Sequence, residues 1–303
     1  MNKLIIILGP TASGKTSLAV DIAYKFNGEI ISADSRQIYK GMDIGTGKDL
    51  HEYKNKKIKY HLIDILDPSE DYSVFKFKRD FNIAYKKIIQ NNKIPILCGG
   101  TALYIDSILY DYKIPKSKPN IKLRTKLGEL SFQELKDKLI QINKEQFNDE
   151  YHISKRRLIR SIEILNNRPS FDMNLQGENK YKNCLVFGIK IEREKLLGRI
   201  QKRLKFRIAD GMIDEVQNLI QLGFSHDRLN SLGLEYRFIS KYLSKDLSYD
   251  DMVDKLNIAI NQFSKRQMTF FRRIEKRGTV IHWIPNTKTD YIDDLINKYL
   301  KIE

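Results

Sequence analysis

The sequence predicts an α/β fold: a P-loop parallel sheet flanked by helices, with an inserted smaller helical domain. Three observations carry this. A continuous apolar run, KLIIIL at 3–8, leads straight into a glycine-rich phosphate-loop pattern and then into a stretch with helical spacing. Short apolar runs alternate with helical segments up to Tyr112. From 121 to 166 the apolar positions keep helical periods and no strand stands out.

The elements follow in order. Residues 3–8 are apolar at nearly every position, as a strand buried on both faces of a parallel sheet requires. Residues 16–26 place Leu18, Ala19, Ile22, Ala23 and Phe26 on one helical face. Strands are expected at 29–33 (EIISA), 60–66 (YHLIDIL) and 94–98 (IPILC), with a helix over 75–90. Such alternation implies parallel strands joined by right-handed crossovers. Residues 114–120 (IPKSKPN) form a basic, proline-containing joint, and strand character returns at 182–191 (KNCLVFGIKI). One helix is expected over 192–222, stopped by Gly223. Another runs from a Ser248 cap to about Arg277, with Gly278 ending it. Residues 279–284 (TVIHWI) read as a last strand. The expected domains are a P-loop core, 1–114 and 181–303, and a helical insertion, 115–180.

The 303-residue chain carries a net charge of +16. A surplus that large suggests a polyanionic partner, nucleic acid or an anionic membrane surface, although a lysine-rich coding bias produces the same excess. Cys98 and Cys184 sit in apolar runs, which suits buried free thiols in a reducing compartment. No cysteine or histidine spacing resembles a metal site. The first strand begins at Lys3, leaving no signal peptide, and no apolar run is long enough to span a bilayer. A cytoplasmic protein without a membrane partner is expected.

Gly9-Pro10-Thr11-Ala12-Ser13-Gly14-Lys15-Thr16 fits the pattern G-x-x-x-x-G-K-[ST], between a strand and an amphipathic helix. In that context backbone N–H groups and the helix N-terminus bind phosphate oxygens. Lys15 adds a point charge, and the Thr16 hydroxyl is the candidate metal ligand, toward Mg²⁺. No N-K-x-D segment for guanine recognition is present; the nearest string is Asn55-Lys56-Lys57-Ile58. Asp34 closes the second strand. Ligands of open parallel sheets sit outside the carboxyl ends of the strands, so Asp34 is expected to face the phosphate crevice. There it can hold a cation through water or act as a general base; a turn aspartate is the plainer alternative. The glycines at 41, 45 and 47, and the Gly99-Gly100-Thr101 turn, are expected at the same mouth.

These residues resemble the tRNA dimethylallyltransferase (tRNA isopentenyltransferase) family. The matching segments are GPTASGKT at 9–16, ISADSRQIYKGMDIGTGK at 31–48, HLIDILDP at 61–68, GGTALYI at 99–105, RRLIRSIEIL at 156–165, RIQKRLKFRIADGMIDEV at 199–216 and FSKRQMTFFRR at 263–273. They keep the family's order and cover nearly the whole chain. The resemblance implies transfer of a dimethylallyl group from dimethylallyl pyrophosphate to the adenosine 3′ of the anticodon in tRNA. It implies that Thr11 to Thr16 hold the donor pyrophosphate with Mg²⁺, that Asp34 takes a proton from the adenine amine, and that Arg203 attends the leaving pyrophosphate. It also implies tRNA contacts at Asp34, Ser35, Arg36 and Gln37, at Thr101 and Arg124, and along Arg156, Arg157, Leu158, Ile159 and Arg160 of the insertion, which would touch the anticodon stem-loop. Gly47-Lys48-Asp49 stands where the family usually has Ala-Lys-Pro, the segment before Arg156 is short, and Lys205 replaces a common aspartate.

The chemistry agrees with the residues. A leaving pyrophosphate needs Lys15, Mg²⁺, amides and a nearby arginine to neutralise it. An adenine amine is a poor nucleophile and needs a base, and a stacked adenine must be extruded to reach a pocket. Lys265, Arg266, Arg272, Arg273, Lys276 and Arg277 form a basic stretch; Lys265 and Arg266 are the leading tRNA candidates there. Phe263, Phe270, Phe271 and Ile274 read as a core-facing stripe rather than base-stacking platforms. A monomer is expected. The alternatives are a P-loop phosphotransferase acting on a small molecule, an adenylate isopentenyltransferase, and an RNA-binding switch without prenyl chemistry.

Overall fold

The apolar run at the start of the chain forms the inner strand β1 (Ile5–Leu8), buried at all four positions. The computed structural model describes residues 3–113, 115, 119–149, 151–168, 181, 183–285 and 290–301. In it β1 lies between β4 (Ile94–Gly99) and β5 (Leu185–Ile189), parallel to both. β2 (Gly28–Ser32), β3 (Tyr60–His61) and β6 (His282–Ile284) complete the sheet, in the order β3-β2-β4-β1-β5-β6, with every pair parallel. Ile5 and Ile7 pack with Leu18, Ala19 and Ile22 of helix α1 (Lys15–Lys25). Ile6 and Leu8 project to the opposite face and are equally buried. Each such side chain contributes roughly 1.5–3 kcal/mol of burial, so the continuous apolar run follows from a strand with no wet face.

Helices α2 (Leu50–Asn55), α3 (Val74–Gln90) and α4 (Ala102–Leu109) follow in the first part of the chain. Ser73 begins α3 by accepting the Lys76 N–H at 3.3 Å. The chain divides into two compact units, Met1–Leu109 with Tyr181–Glu303, and Tyr110–Lys180. The expected joint at 114–120 falls partly outside the described residues, as does Lys182 at the start of the expected fifth strand.

The smaller unit contains α5 (Ile121–Gly128), α6 (Phe132–Ile142) and α7 (Lys155–Asn167) around Leu127, Leu135, Leu139, Leu158, Ile162 and Leu165. A reciprocal cap between Ser131 and Glu134 starts α6. Glu163 is fully buried and accepts both a bidentate pair from Arg124, at 2.8 and 3.1 Å, and a bond from Arg160.

The larger unit resumes with α8 (Arg193–Arg207), α9 (Ile213–Gln221), α10 (His226–Leu232), α11 (Leu234–Leu243), α12 (Tyr249–Lys276) and α13 (Asp290–Lys301). Ser248 caps α12 by accepting the Asp251 N–H at 3.1 Å, and Gly223 and Gly278 take positive φ after their helices. Two expectations are corrected. The helix over 192–222 is broken at 208–212 by a wide turn in which Gly211 sits at φ 95°, a conformation that side chains resist. The strand over 60–66 stops after His61, because Leu62 and Asp64 turn to positive φ. That turn aims Asp64 at the buried ammonium of Lys48, which also bonds Asp43 at 2.5 Å and the Tyr39 carbonyl at 2.8 Å.

Burial pushes the Glu163 carboxyl up, but Arg124, the Asn120 N–H and Arg160 outweigh it and hold it below its ordinary 4.5. A depressed carboxyl stabilises the fold above its unfolded value and loses that contribution as pH falls through the folded one. Glu163→Gln is expected to cost about 1–3 kcal/mol at neutral pH. In thermal unfolding of the full chain, the gap to wild type should narrow as pH drops below about 4.5.

Candidate active site

The carboxyl ends of β1, β2 and β4 lie side by side, and each delivers a loop to the same edge. β1 delivers residues 9–16. The N-terminus of α1 has no side-chain cap, which leaves its N–H groups for an anion. One donor behaves differently from expectation: the Thr11 N–H is taken by Gln267 Oε1 at 2.9 Å, so it binds protein and not phosphate. Gln267 Nε2 in turn donates to the Gly100 carbonyl at 2.8 Å. One buried side chain of α12 thereby ties the phosphate loop to the turn after β4.

β2 delivers Asp34. Its Oδ1 accepts the N–H groups of Arg36 at 2.8 Å and Gln37 at 3.4 Å. Among the described residues no hydrogen bond reaches Oδ2. The turn-aspartate role and the chemical role therefore use different oxygens. β4 delivers Thr101, whose Oγ1 accepts the Ser35 N–H at 3.0 Å. The two loops touch because residue 99 is glycine: a Cβ there would stand 2.3 Å from the Ala33 carbonyl oxygen.

Two cavities open at this edge. The smaller, about 80 Å³, is lined by residues 11–16 with Asp34, Asp49, Glu52 and Arg203. The larger, about 410 Å³, is walled by Ser35, Arg36, Thr101, Glu235, Phe263 and Arg266, among others. Four residues line both: Thr11, Asp34, Thr46 and Arg203. Arg203 reaches the junction from α8 and donates to Thr11 Oγ1. Burial, with Arg207 beside it, pulls the Arg203 guanidinium down to about 10. Burial also lowers Lys15, with the charge of Asp34 opposing. Two half-buried cations thus stand where an anion can reach them.

The other expected residues divide. Ser35, Arg36, Thr101 and Arg266 line the larger cavity, whereas Lys265 is exposed and outside it. Gln37 lines the smaller cavity and acts as a strut, donating to the Gly47 carbonyl at 2.8 Å and accepting from Ser32 Oγ at 3.0 Å. In the insertion, Arg156 is exposed, while Arg157 donates to the Tyr151 carbonyl at 2.8 Å and lies over that ring. Arg124 and Arg160 are bound to Glu163. Leu158 is wholly buried and Ile159 packs against the same core, so the Leu158 side chain offers nothing to an RNA surface. The aromatic stripe of α12 is also corrected: Phe271 and Ile274 are core, but Phe263 and Phe270 line the larger cavity.

Sequence reasoning missed Thr46, Gln267, Glu235 and Arg207. The KRQ string contained Gln267, but nothing local marks it as a bridge between two distant loops. Helices α10 and α11, which supply Glu235, left one signal, the Ser225 cap, whose Oγ accepts the Arg228 N–H.

The family model described as IPP transferase matches residues 37–274, and one described as Isopentenyl transferase matches 2–67. The chain belongs to the IPP transferase family. It is 46% identical over 298 residues to tRNA dimethylallyltransferase 1 of Azobacteroides pseudotrichonymphae, covering 98% of this chain and 97% of that one. A solved tRNA isopentenylpyrophosphate transferase from Bacillus halodurans superposes with a TM-score of 0.70 at 30% identity, covering 100% of this chain and 96% of the other. A tRNA delta(2)-isopentenylpyrophosphate transferase from Staphylococcus epidermidis gives 0.68 at 33%, covering 98% and 99%. The segment Gly47-Lys48-Asp49 has a structural role. Asp49 accepts from Arg207 Nη2 at 3.4 Å and lines the smaller cavity, and Lys48 anchors the loop from beneath.

Removing Arg203 should weaken binding of a diphosphate at the smaller cavity. The loss of one charge-assisted contact predicts roughly a 10- to 100-fold rise in the pyrophosphate dissociation constant for Arg203→Ala, read by titration calorimetry.

Proposed function

We propose that this protein transfers a dimethylallyl group from dimethylallyl pyrophosphate to the exocyclic amine of the adenosine 3′ of the anticodon in tRNA, releasing pyrophosphate. The observation that carries the reading is the junction of two cavities at Asp34 and Arg203. One cavity has the donor set for a diphosphate, and the other is large and partly apolar, as an extruded base requires. Membership of the IPP transferase family supports the same assignment.

Mg²⁺ fits the smaller cavity. Thr16 brings a hydroxyl, and Asp34, Asp49 and Glu52 bring carboxylates; Glu52 Oε2 is buried without a hydrogen-bond partner. Among the described residues no three His, Cys, Asp or Glu side chains form a metal cage. An ion held there would complete its shell with water and phosphate oxygens. When bound, the ion neutralises charge on the diphosphate.

The chain's own residues do the rest. Lys15, Arg203 and the N-terminus of α1 stabilise the charge that grows on the leaving pyrophosphate. The amine nitrogen forms its bond to the allylic carbon as the carbon–oxygen bond breaks. Asp34 takes the amine proton through the oxygen that its turn leaves open. Thr101 and Ser35 hold the loops that shape the acceptor cavity. In the insertion, Arg156 and the Arg124–Arg160 pair oriented by Glu163 are the tRNA contacts; on α12, Lys265 and Arg266 are. The protein acts as a monomer in the cytoplasm. No helix among the described residues is long and apolar enough to cross a membrane.

The test is incubation with Mg²⁺, dimethylallyl pyrophosphate and unmodified tRNA, then digestion and mass measurement of the nucleosides. No prenylated adenosine from any tRNA bearing adenosine at that position would sink the reading. Asp34→Asn should lower turnover by about 10²- to 10⁴-fold while tRNA affinity stays within roughly threefold. If about five phosphates are neutralised, the logarithm of tRNA affinity should fall with the logarithm of salt concentration with a slope of about −4. A flat response would count against the basic surfaces.

A further inference from the structure

We infer that Glu215 is a positioning residue for the reaction: it fixes the loop that forms the wall between the donor and acceptor cavities. The inference rests on the function proposed above. Glu215 lies on α9, away from the phosphate loop, and lines neither cavity. Its carboxylate takes four hydrogen bonds. Oε2 accepts the N–H groups of Asp43 and Ile44, each at 2.7 Å. Oε1 accepts the Gly45 N–H at 3.0 Å and the Tyr236 hydroxyl at 2.6 Å. Three consecutive backbone donors on one carboxylate leave that stretch of loop a single arrangement.

The loop is tight for a reason. A Cβ on Gly45 would stand 2.8 Å from the Tyr236 ring, so the loop backbone packs directly on that tyrosine. Burial and the neighbouring Glu215 raise the Tyr236 phenol well above its ordinary value, which keeps it a donor. Beyond Gly45 comes Thr46, one of the four residues shared by both cavities, with its hydroxyl turned back to the Met42 carbonyl at 2.5 Å. The opposite side of the loop is held by Lys48. Gly45 and Thr46 therefore face the acceptor, Thr46 and Gly47 face the diphosphate, and Glu215 sets the position of all three. Prenyl transfer depends on the distance between the amine and the allylic carbon, and small displacements there cost large factors in rate.

The experiment compares wild type, Glu215→Gln, Glu215→Asp and Tyr236→Phe in single-turnover prenylation of tRNA, with concentrations set by active-site titration of the folded protein. In Glu215→Gln an amide N–H₂ faces backbone donors, so the rate constant should fall roughly 30-fold or more. Dissociation constants for tRNA and pyrophosphate should stay within about threefold, because their charged contacts lie elsewhere. Glu215→Asp should recover part of the rate. Tyr236→Phe keeps the ring under Gly45 and removes one of four donors, so it should lose roughly three- to tenfold. A mutant rate per folded site equal to wild type overturns the inference, as does a loss that only tracks the unfolded fraction. If Glu215→Gln does not fold, Tyr236→Phe decides, and an unchanged rate in that variant overturns it. A wild-type protein that forms no prenylated adenosine overturns the proposed function instead, so the two failures are told apart.

Discussion

The site depends on the contact between the ends of β2 and β4. The Ala33 N–H donates to the Cys98 carbonyl at 2.7 Å, and the Ala33 carbonyl accepts the Thr101 N–H at 3.0 Å. Only a residue without a Cβ fits at 99 beside that carbonyl. The contact sets Asp34 between the phosphate loop on one side and the Thr101 turn on the other. Parallel order does the remaining work: with β1 next to β4, and β4 next to β2, three loops meet at one edge with no other element between them.

Charge then sorts the edge into two compartments. Lys15 and Arg203 are both buried enough to be drawn toward their neutral forms. A buried cation is costly unless an anion answers it. Asp34, Asp49 and Glu235 answer in part, and burial pushes the Glu235 carboxyl up in turn. Under the proposed function, an arriving diphosphate would supply the negative charge this cluster lacks and would meet cations already placed, with little reorganisation left. In that reading the same field would act on the amine proton, because Asp34 stands beside Lys15 and Arg203.

The parts legible in the sequence were those written in local chemistry. The phosphate loop, β1, α1, the Ser248 cap and the Gly278 stop are each specified by neighbours in sequence. Asp34 was legible because topology alone puts the end of β2 at the crevice. What escaped was set by contacts far along the chain. Residues 60–66 have the composition of a strand, yet the ion pair of Asp64 with Lys48 turns the chain after two residues. The stripe on α12 is apolar at helical spacing, yet it covers two adjacent faces. Leu256, Phe271 and Ile274 are buried away from the cavity, while Ile260, Phe263, Arg266, Gln267 and Phe270 line it. Periodicity identifies an apolar helix face, but not whether a neighbour or a ligand will cover it.

The same distinction explains the insertion's arginines. A run such as RRLIR reads as one basic patch, but helical geometry sends successive residues to different sides. Leu158 goes to the core, Arg156 to solvent, Arg157 onto Tyr151, and Arg160 to Glu163. Binding an arginine to a buried carboxylate leaves it partly exposed, at 27% for Arg160 and 41% for Arg124, with its planar fork already oriented. Less side-chain freedom is then lost when it meets a phosphate. The carboxylates Glu163 and Glu215 thus do the same work in two places: each uses its charge inside the protein to hold other groups in one arrangement.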